Sequence, residues 1–223
     1  MTARLILVRH GQTVANVAKR LDTRLPGAAL TPEGLTQAEQ FGRRVAEART
    51  AAALVSSQAL RARQTAGFAE TASGLVLDVR VGLHEAQAGD LEDRSDEGSH
   101  ELYMKTFQQW QMGEHDARLP GGESARDVFD RYLPVRGDLR AEYLEDPAAT
   151  GDVVVVSHGA AIRLVAAHLA HVPGVFAAST HLANTESVEL LPTADGGWEC
   201  VRWGRALPPF EGRRVRGADD PMG

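Results

Sequence analysis

Residues 153–156 are four valines in succession, and no other stretch of the chain restricts its fold as much. β-Branched side chains favour an extended backbone, and a strand without polar alternation has to be buried on both faces. That is the position of an inner strand in a mostly parallel sheet with helices on either side. The run leads into Ser157-His158-Gly159 and then a helical stretch to about residue 170. Two other segments repeat the order of short aliphatic strand, polar cluster and helix. Leu5-Ile6-Leu7-Val8 precedes Arg9-His10-Gly11-Gln12 and a short helix that Thr13 is placed to cap. Ala53-Leu54-Val55 precedes Ser56-Ser57-Gln58 and a helix over residues 59–71. The expected fold is α/β: a single domain with a mixed, mostly parallel central sheet flanked by helices on both faces. In such sheets ligands bind outside the carboxyl ends of the strands, so the three polar clusters are expected to meet in one crevice.

Between these units, Thr31-Pro32-Glu33-Gly34 reads as a helix start with proline in the first turn, and residues 35–48 continue that helix. Residues 75–79 read as a strand leading to His84-Glu85. Residues 86–122 are periodic only over 101–112 and are expected to form an insertion or lid over the sheet end. Helices are expected over residues 124–132 and 139–144, interrupted near Pro134, and residues 188–191 and 198–203 suggest a closing hairpin. The domain is expected to span residues 1–207, followed by a loosely ordered tail over 208–223.

Composition narrows the function classes. A chain of 223 residues with 43% apolar content can bury a substantial core. No stretch approaches the ~18 consecutive apolar residues of a membrane span, and the first eight residues are followed by Arg9-His10 rather than a small-residue cleavage site. A formal charge of −6 offers no general attraction to nucleic acid or anionic lipid, so any anion site has to be local. The single cysteine, Cys200, permits no intramolecular disulfide and agrees with a reducing compartment. A cytoplasmic protein with neither nucleic-acid nor membrane partners is expected.

The motifs Leu-Val-Arg9-His10-Gly11-Gln12-Thr13 with Asn16, Leu30-Thr31-Pro32-Glu33-Gly34-Leu35-Thr36-Gln37-Ala38, and Ser56-Ser57-Gln58-Ala59-Leu60-Arg61 stand in order along the chain. Leu83-His84-Glu85, Gly121-Gly122-Glu123-Ser124 and Val156-Ser157-His158-Gly159 follow them. In these residues the sequence resembles the histidine phosphatase superfamily, also called the phosphoglycerate-mutase-like fold. The resemblance implies a phosphatase that hydrolyses a small phosphomonoester through a phosphohistidine on His10, without metal or cofactor. Arg9, Arg61 and a protonated His158 would hold the phosphoryl oxygens, with Asn16 and Gly159 completing the phosphate site. Glu85 would protonate the leaving oxygen and then activate water. The implied partner is a small phosphorylated metabolite, with a homodimer as the oligomer considered. A cofactor-dependent phosphoglycerate mutase and a non-catalytic binding module on the same fold are the alternatives.

Other residues carry plainer readings. Arg63 is expected at the surface, His84 as a pocket wall, and Glu123 with Ser124 in capping and loop architecture. His168 and His171 share a helix face but lack a third ligand, which favours packing over metal binding. Two segments depart from the family pattern. Gly89-Asp90-Leu91-Glu92-Asp93 stands where many members carry a tryptophan, and its acidic surroundings read as a solvated loop. Arg20-Leu21-Asp22-Thr23-Arg24 differs from the usual linker after the first helix.

Overall fold

The computed structural model describes residues 3–48, 50–145 and 151–211. Met1, Thr2 and residues 212–223 of the expected tail lie outside the described residues. Four parallel strands form the body of the sheet: β1 (Leu5–Arg9), β2 (Ala51–Ser57), β3 (Leu77–Arg80) and β4 (Asp152–Ser157). The hairpin of β5 (Ser187–Pro192) and β6 (Trp198–Trp203) adds antiparallel to β1, giving the order β3-β2-β4-β1-β5-β6. All six residues of β4 are buried, as the valine run requires.

Alternation along the strands divides the core in two. Leu5, Leu7, Ala53, Val55, Val153 and Val155 face one side. There they meet α4 (Glu97–Gln111), α5 (Ala125–Tyr143), α6 (Gly159–Ala170) and α7 (Gly174–Ser179). Val8, Leu54, Val154 and Val156 face the other, against α2 (Pro32–Ala48) and α3 (Leu60–Ser73). Between β1 and α2 lies one turn of helix, α1 (Val14–Val17), closed at its start by a reciprocal capping box between Thr13 and Asn16.

The structure departs from expectation at Pro134. Helix α5 runs through Pro134 without a break. Pro134 and Asp130, whose carbonyl loses its usual helical donor to the proline, are both exposed. Val128, Phe129, Tyr132 and Leu139 anchor the helix on either side of it. Within residues 86–122, α4 buries Tyr103, Phe107 and Trp110 in the main core. Of the tail expected from residue 208, Phe210 packs on Phe176 with ring centroids 5.0 Å apart.

Candidate active site

β1, β2 and β4 end on the same edge of the sheet, and the residues after them converge there. His10 follows β1 directly. Its N–H donates to the Ser157 carbonyl at 3.1 Å and its own carbonyl accepts from Asn184 Nδ2 at 3.0 Å, which fixes the loop on two sides. The ring's Nδ1 lies 2.7 Å from the Gly11 carbonyl oxygen. A carbonyl can only accept, so Nδ1 carries the proton and Nε2 keeps its lone pair. Arg61 Nε donates to that lone pair at 3.1 Å and shares the same N–H with His158 Nδ1 at 3.2 Å. The proton of His158 is therefore on Nε2, which donates to Ser57 Oγ at 2.7 Å. The two rings meet edge to face, with centroids 5.2 Å apart.

Burial, then the Arg61 charge, holds both histidines well below the usual imidazole range; Arg9 adds to the effect at His10. The protonated His158 of the sequence reading belongs to a site that holds phosphate; here the ring is placed as a neutral acceptor toward Arg61. Its Nδ1 accepts from Arg61 Nε, and burial beside that guanidinium disfavours a second cation.

Arg61 sits at the start of α3 and is 2% exposed. Its Nη1 donates to Asp22 Oδ2 at 3.2 Å and its Nη2 to the Asp22 carbonyl at 3.0 Å. Arg9, also buried, donates from Nη1 to the Leu182 carbonyl at 2.7 Å. Thr65, one turn after Arg61, accepts from the Gly11 N–H at 3.0 Å and donates to the Arg61 carbonyl at 2.7 Å, tying α3 to the histidine loop.

Glu85 is 2% exposed. Its carboxylate accepts from the N–H groups of Ala86 at 2.8 Å, Ala161 at 2.9 Å and Ala160 at 3.1 Å. The anion at the start of α6 is therefore the Glu85 side chain. Gly159 opens that helix, and the next two amides serve the carboxylate. Burial raises Glu85 above the ordinary carboxylate range, against the amide bonds and the Arg61 charge, which lower it. Asn16 is likewise engaged: its Oδ1 accepts from the Thr13 N–H at 2.9 Å and hydroxyl at 3.0 Å.

Sequence reading missed Arg131, which with Glu123 holds this set in place. Arg131 donates from Nη1 to the Gly82 and His84 carbonyls at 2.7 and 2.8 Å, and from Nη2 to the Glu85 carbonyl at 3.0 Å. Glu123 grips the same guanidinium twice at 2.8 Å and accepts from the Gln87 N–H at 2.9 Å. An arginine in mid-helix gives no sequence signal for such a role. The acidic loop is partly structural: Glu92 accepts from the N–H groups of Thr23 and Arg24 at 2.8 and 2.9 Å and from the Thr23 hydroxyl. Asp96 caps α4. Arg63 is exposed. His168 stacks on Phe129 at 4.3 Å, while His171 ends α6 in the left-handed region. Among the described residues no group of three or more His, Cys, Asp or Glu is arranged to hold a metal ion.

Among solved structures, the chain is similar to a protein described as mycobacterial hydrolase 1, with a TM-score of 0.78 and 28% identity, covering 92% of this chain and 99% of that one. It is similar also to a mycobacterial glucosyl-3-phosphoglycerate phosphatase in complex with VO3, with a TM-score of 0.77 and 28% identity over 92% and 100% of the two chains. A PE-PGRS family protein of Mycobacterium tuberculosis is 31% identical over 88% of this chain, which spans only 35% of that protein's length. The probable phosphoglycerate mutase GpmB of Salmonella choleraesuis is 30% identical over 88% of each chain. No helix among the described residues is long and apolar enough to cross a membrane. Residues 5–206, which carry the His10, Arg61, Glu85 and His158 constellation, match the histidine phosphatase superfamily (branch 1), and the chain belongs to that superfamily.

Proposed function

We propose that the protein is a phosphatase for a small phosphomonoester and that the reaction passes through a phosphohistidine on His10. One observation carries this reading: His10 Nδ1 is pinned to the Gly11 carbonyl, which leaves Nε2 as a lone pair beside a buried arginine. That lone pair attacks phosphorus as the bond to the leaving oxygen breaks. Arg61 and Arg9 stabilise the equatorial oxygens, with the Asn16 amide and His158 assisting; His158 does so as a donor after its Nδ1 takes the proton of a bound phosphate monoanion, which it returns to the product phosphate. Glu85 in its acid form gives a proton to the leaving oxygen. As carboxylate it then takes a proton from water, the water oxygen bonds to phosphorus, the P–N bond breaks, and His10 and the acid form of Glu85 are restored.

The structural likeness to a glucosyl-3-phosphoglycerate phosphatase supports hydrolysis, while the identity with GpmB over most of both chains supports a phosphoglycerate mutase as the second reading. A cytoplasmic setting is part of the proposal, consistent with one buried cysteine.

The test is hydrolysis of p-nitrophenyl phosphate with and without EDTA by the wild type and His10→Ala. Chelator-resistant release that disappears in a folded His10→Ala protein is expected. Near-wild-type activity of that variant removes His10 as nucleophile. A wild type silent on the aryl ester that isomerises 3-phosphoglycerate when primed with a bisphosphoglycerate is a mutase.

A further inference from the structure

We propose that Asp22 is a positioning residue for the phosphoryl site, holding the Arg61 guanidinium so that its single Nε–H falls between His10 Nε2 and His158 Nδ1. The reaction it serves is the one proposed above; its placement rests on the geometry alone. A guanidinium is a planar fork, and fixing both outer nitrogens fixes the direction of the third donor. Asp22 holds both, through its carboxylate and its own carbonyl, while its side chain is 14% exposed and that of Arg61 2%.

Asp22 is itself held. Its Oδ2 also accepts from the Ala28 N–H at 2.9 Å. Glu92 binds the two amides that follow it, and Thr23 Oγ1 accepts from the Ala88 N–H at 3.0 Å. Gln87 Nε2 donates both to the Thr23 carbonyl at 2.8 Å and to the Glu85 carbonyl at 3.0 Å, so the turn carrying Asp22 is tied to the loop after β3 that carries the acid. From the other side the linker crosses the guanidinium at Gly27, whose φ is +74° and where a Cβ would stand 2.2 Å from Arg61 Nη1. Only glycine fits there. The Pro26 carbonyl then accepts from the Leu60 N–H at 2.8 Å, at the start of the helix that carries Arg61. The linker that departs from the family pattern is therefore a bracket around the arginine.

Asp22→Ala and Asp22→Asn are to be compared with the wild type in kcat and KM on p-nitrophenyl phosphate, inhibition by orthovanadate, and the NMR signal of the Arg61 Nε–H. Asp22→Ala is expected to lower kcat about tenfold and to weaken vanadate by a similar factor, with a moved or broadened Nε–H signal. Asp22→Asn retains an oxygen that can accept from Nη1 and from Ala28, and is expected to recover most of both. Should Asp22→Ala not fold, Asp22→Ser, whose hydroxyl stops short of Arg61, is expected to give the same losses. Wild-type kcat and vanadate inhibition in Asp22→Ala overturn the proposal. So do equal losses in the Ala and Asn variants with an unmoved Nε–H signal, since charge rather than position would then matter. If the wild type turns over no phosphomonoester, the functional reading fails by itself; the Nε–H signal and vanadate binding still test the role of Asp22, and neither changing in Asp22→Ala overturns it.

Discussion

The Glu85 carboxylate and the backbone N–H of Ala161 lie 2.9 Å apart, joining positions 76 residues distant in the chain. This bond is part of a contest over one proton. The α6 amides and Arg61 favour the carboxylate, burial favours the acid, and burial prevails. A group raised in this way is suited to giving a proton and then taking one back.

Glu85→Gln is expected to lower kcat/KM about 10²- to 10⁴-fold for alkyl phosphates, whose leaving oxygen needs a proton, and far less for p-nitrophenyl phosphate. Since the acid form starts the reaction, wild-type activity on alkyl esters should fall as pH rises through the elevated Glu85 value. That limb should be absent in the Gln variant. Equal losses on both substrate types would take Glu85 out of the acid role.

Stability should fall on mild acidification. Burial, then the Arg131 charge, brings His84 down to about 4, and burial also lowers His10, His158 and His168. Above the unfolded value near 6.5 these rings are neutral in both states and cost nothing. Between that value and the folded one the unfolded chain takes up protons that the folded chain refuses, so stability is lost as pH falls. Glu85, raised in the fold, has the opposite sign: its share is present at low pH and lost as pH rises through its folded value. His84 alone should contribute about 1 to 2 kcal/mol, because its half-buried ring is partly screened by water. Urea midpoints of wild type and His84→Gln between pH 7 and pH 4.5 check this; parallel curves would exclude His84.

The sequence announces whatever is local. The valines of β4 signal an inner strand, Thr13 a cap, and the histidine after each of two strands a place at the sheet edge. His10, Arg61 and His158 are legible because each lies next to a strand end or helix start with its own pattern; Glu85, in the loop after β3, is legible only through its motif Leu83-His84-Glu85. Asp22 and Arg131 are not, since the Arg61 that Asp22 holds and the carbonyls that Arg131 holds stand 39 and 46 or more residues away and the contacts depend on how α3 and α5 dock. Pro134 misleads because local propensity yields to the burial of Phe129, Tyr132 and Leu139. That burial lowers His158 depends on the packing around it, which no tripeptide reveals.

Arg131→Met should destabilise the protein by about 3 kcal/mol, because it strands the Glu123 carboxylate and three backbone carbonyls in a largely buried setting. The carbonyl of Glu85 is one of the three, so kcat on alkyl esters should also fall at temperatures where the variant is fully folded. Urea unfolding measures the first effect and steady-state kinetics the second. An unfolding midpoint within error of wild type would show that the staple is not holding residues 82–85.

Gly34→Ala tests whether α2 shapes the nucleophile's loop. A Cβ on Gly34 would stand 2.0 Å from the Gln12 carbonyl oxygen, and one on Gly11 would stand 2.7 Å from the Gly34 carbonyl, so backbone lies against backbone with no flexible side chain to yield. The contact is locked by the Thr31 N–H on the Gln12 carbonyl at 2.9 Å and by Gln37 Oε1, which accepts from the Gln12 N–H at 2.9 Å. A methyl group must therefore push the first turn of α2 away from the loop that sets the Gly11 carbonyl against His10 Nδ1. The expected cost is about 1 to 3 kcal/mol in stability, together with a loss of kcat of about tenfold or more from misdirection of Nε2. Gly67→Ala is the matched control: Gly67 lies within α3, a Cβ there meets nothing within 4 Å, and the change should stabilise by about 0.5 to 1 kcal/mol with kcat unchanged. If the two variants behave alike, the close approach of Gly34 to Gln12 does not govern the orientation of His10.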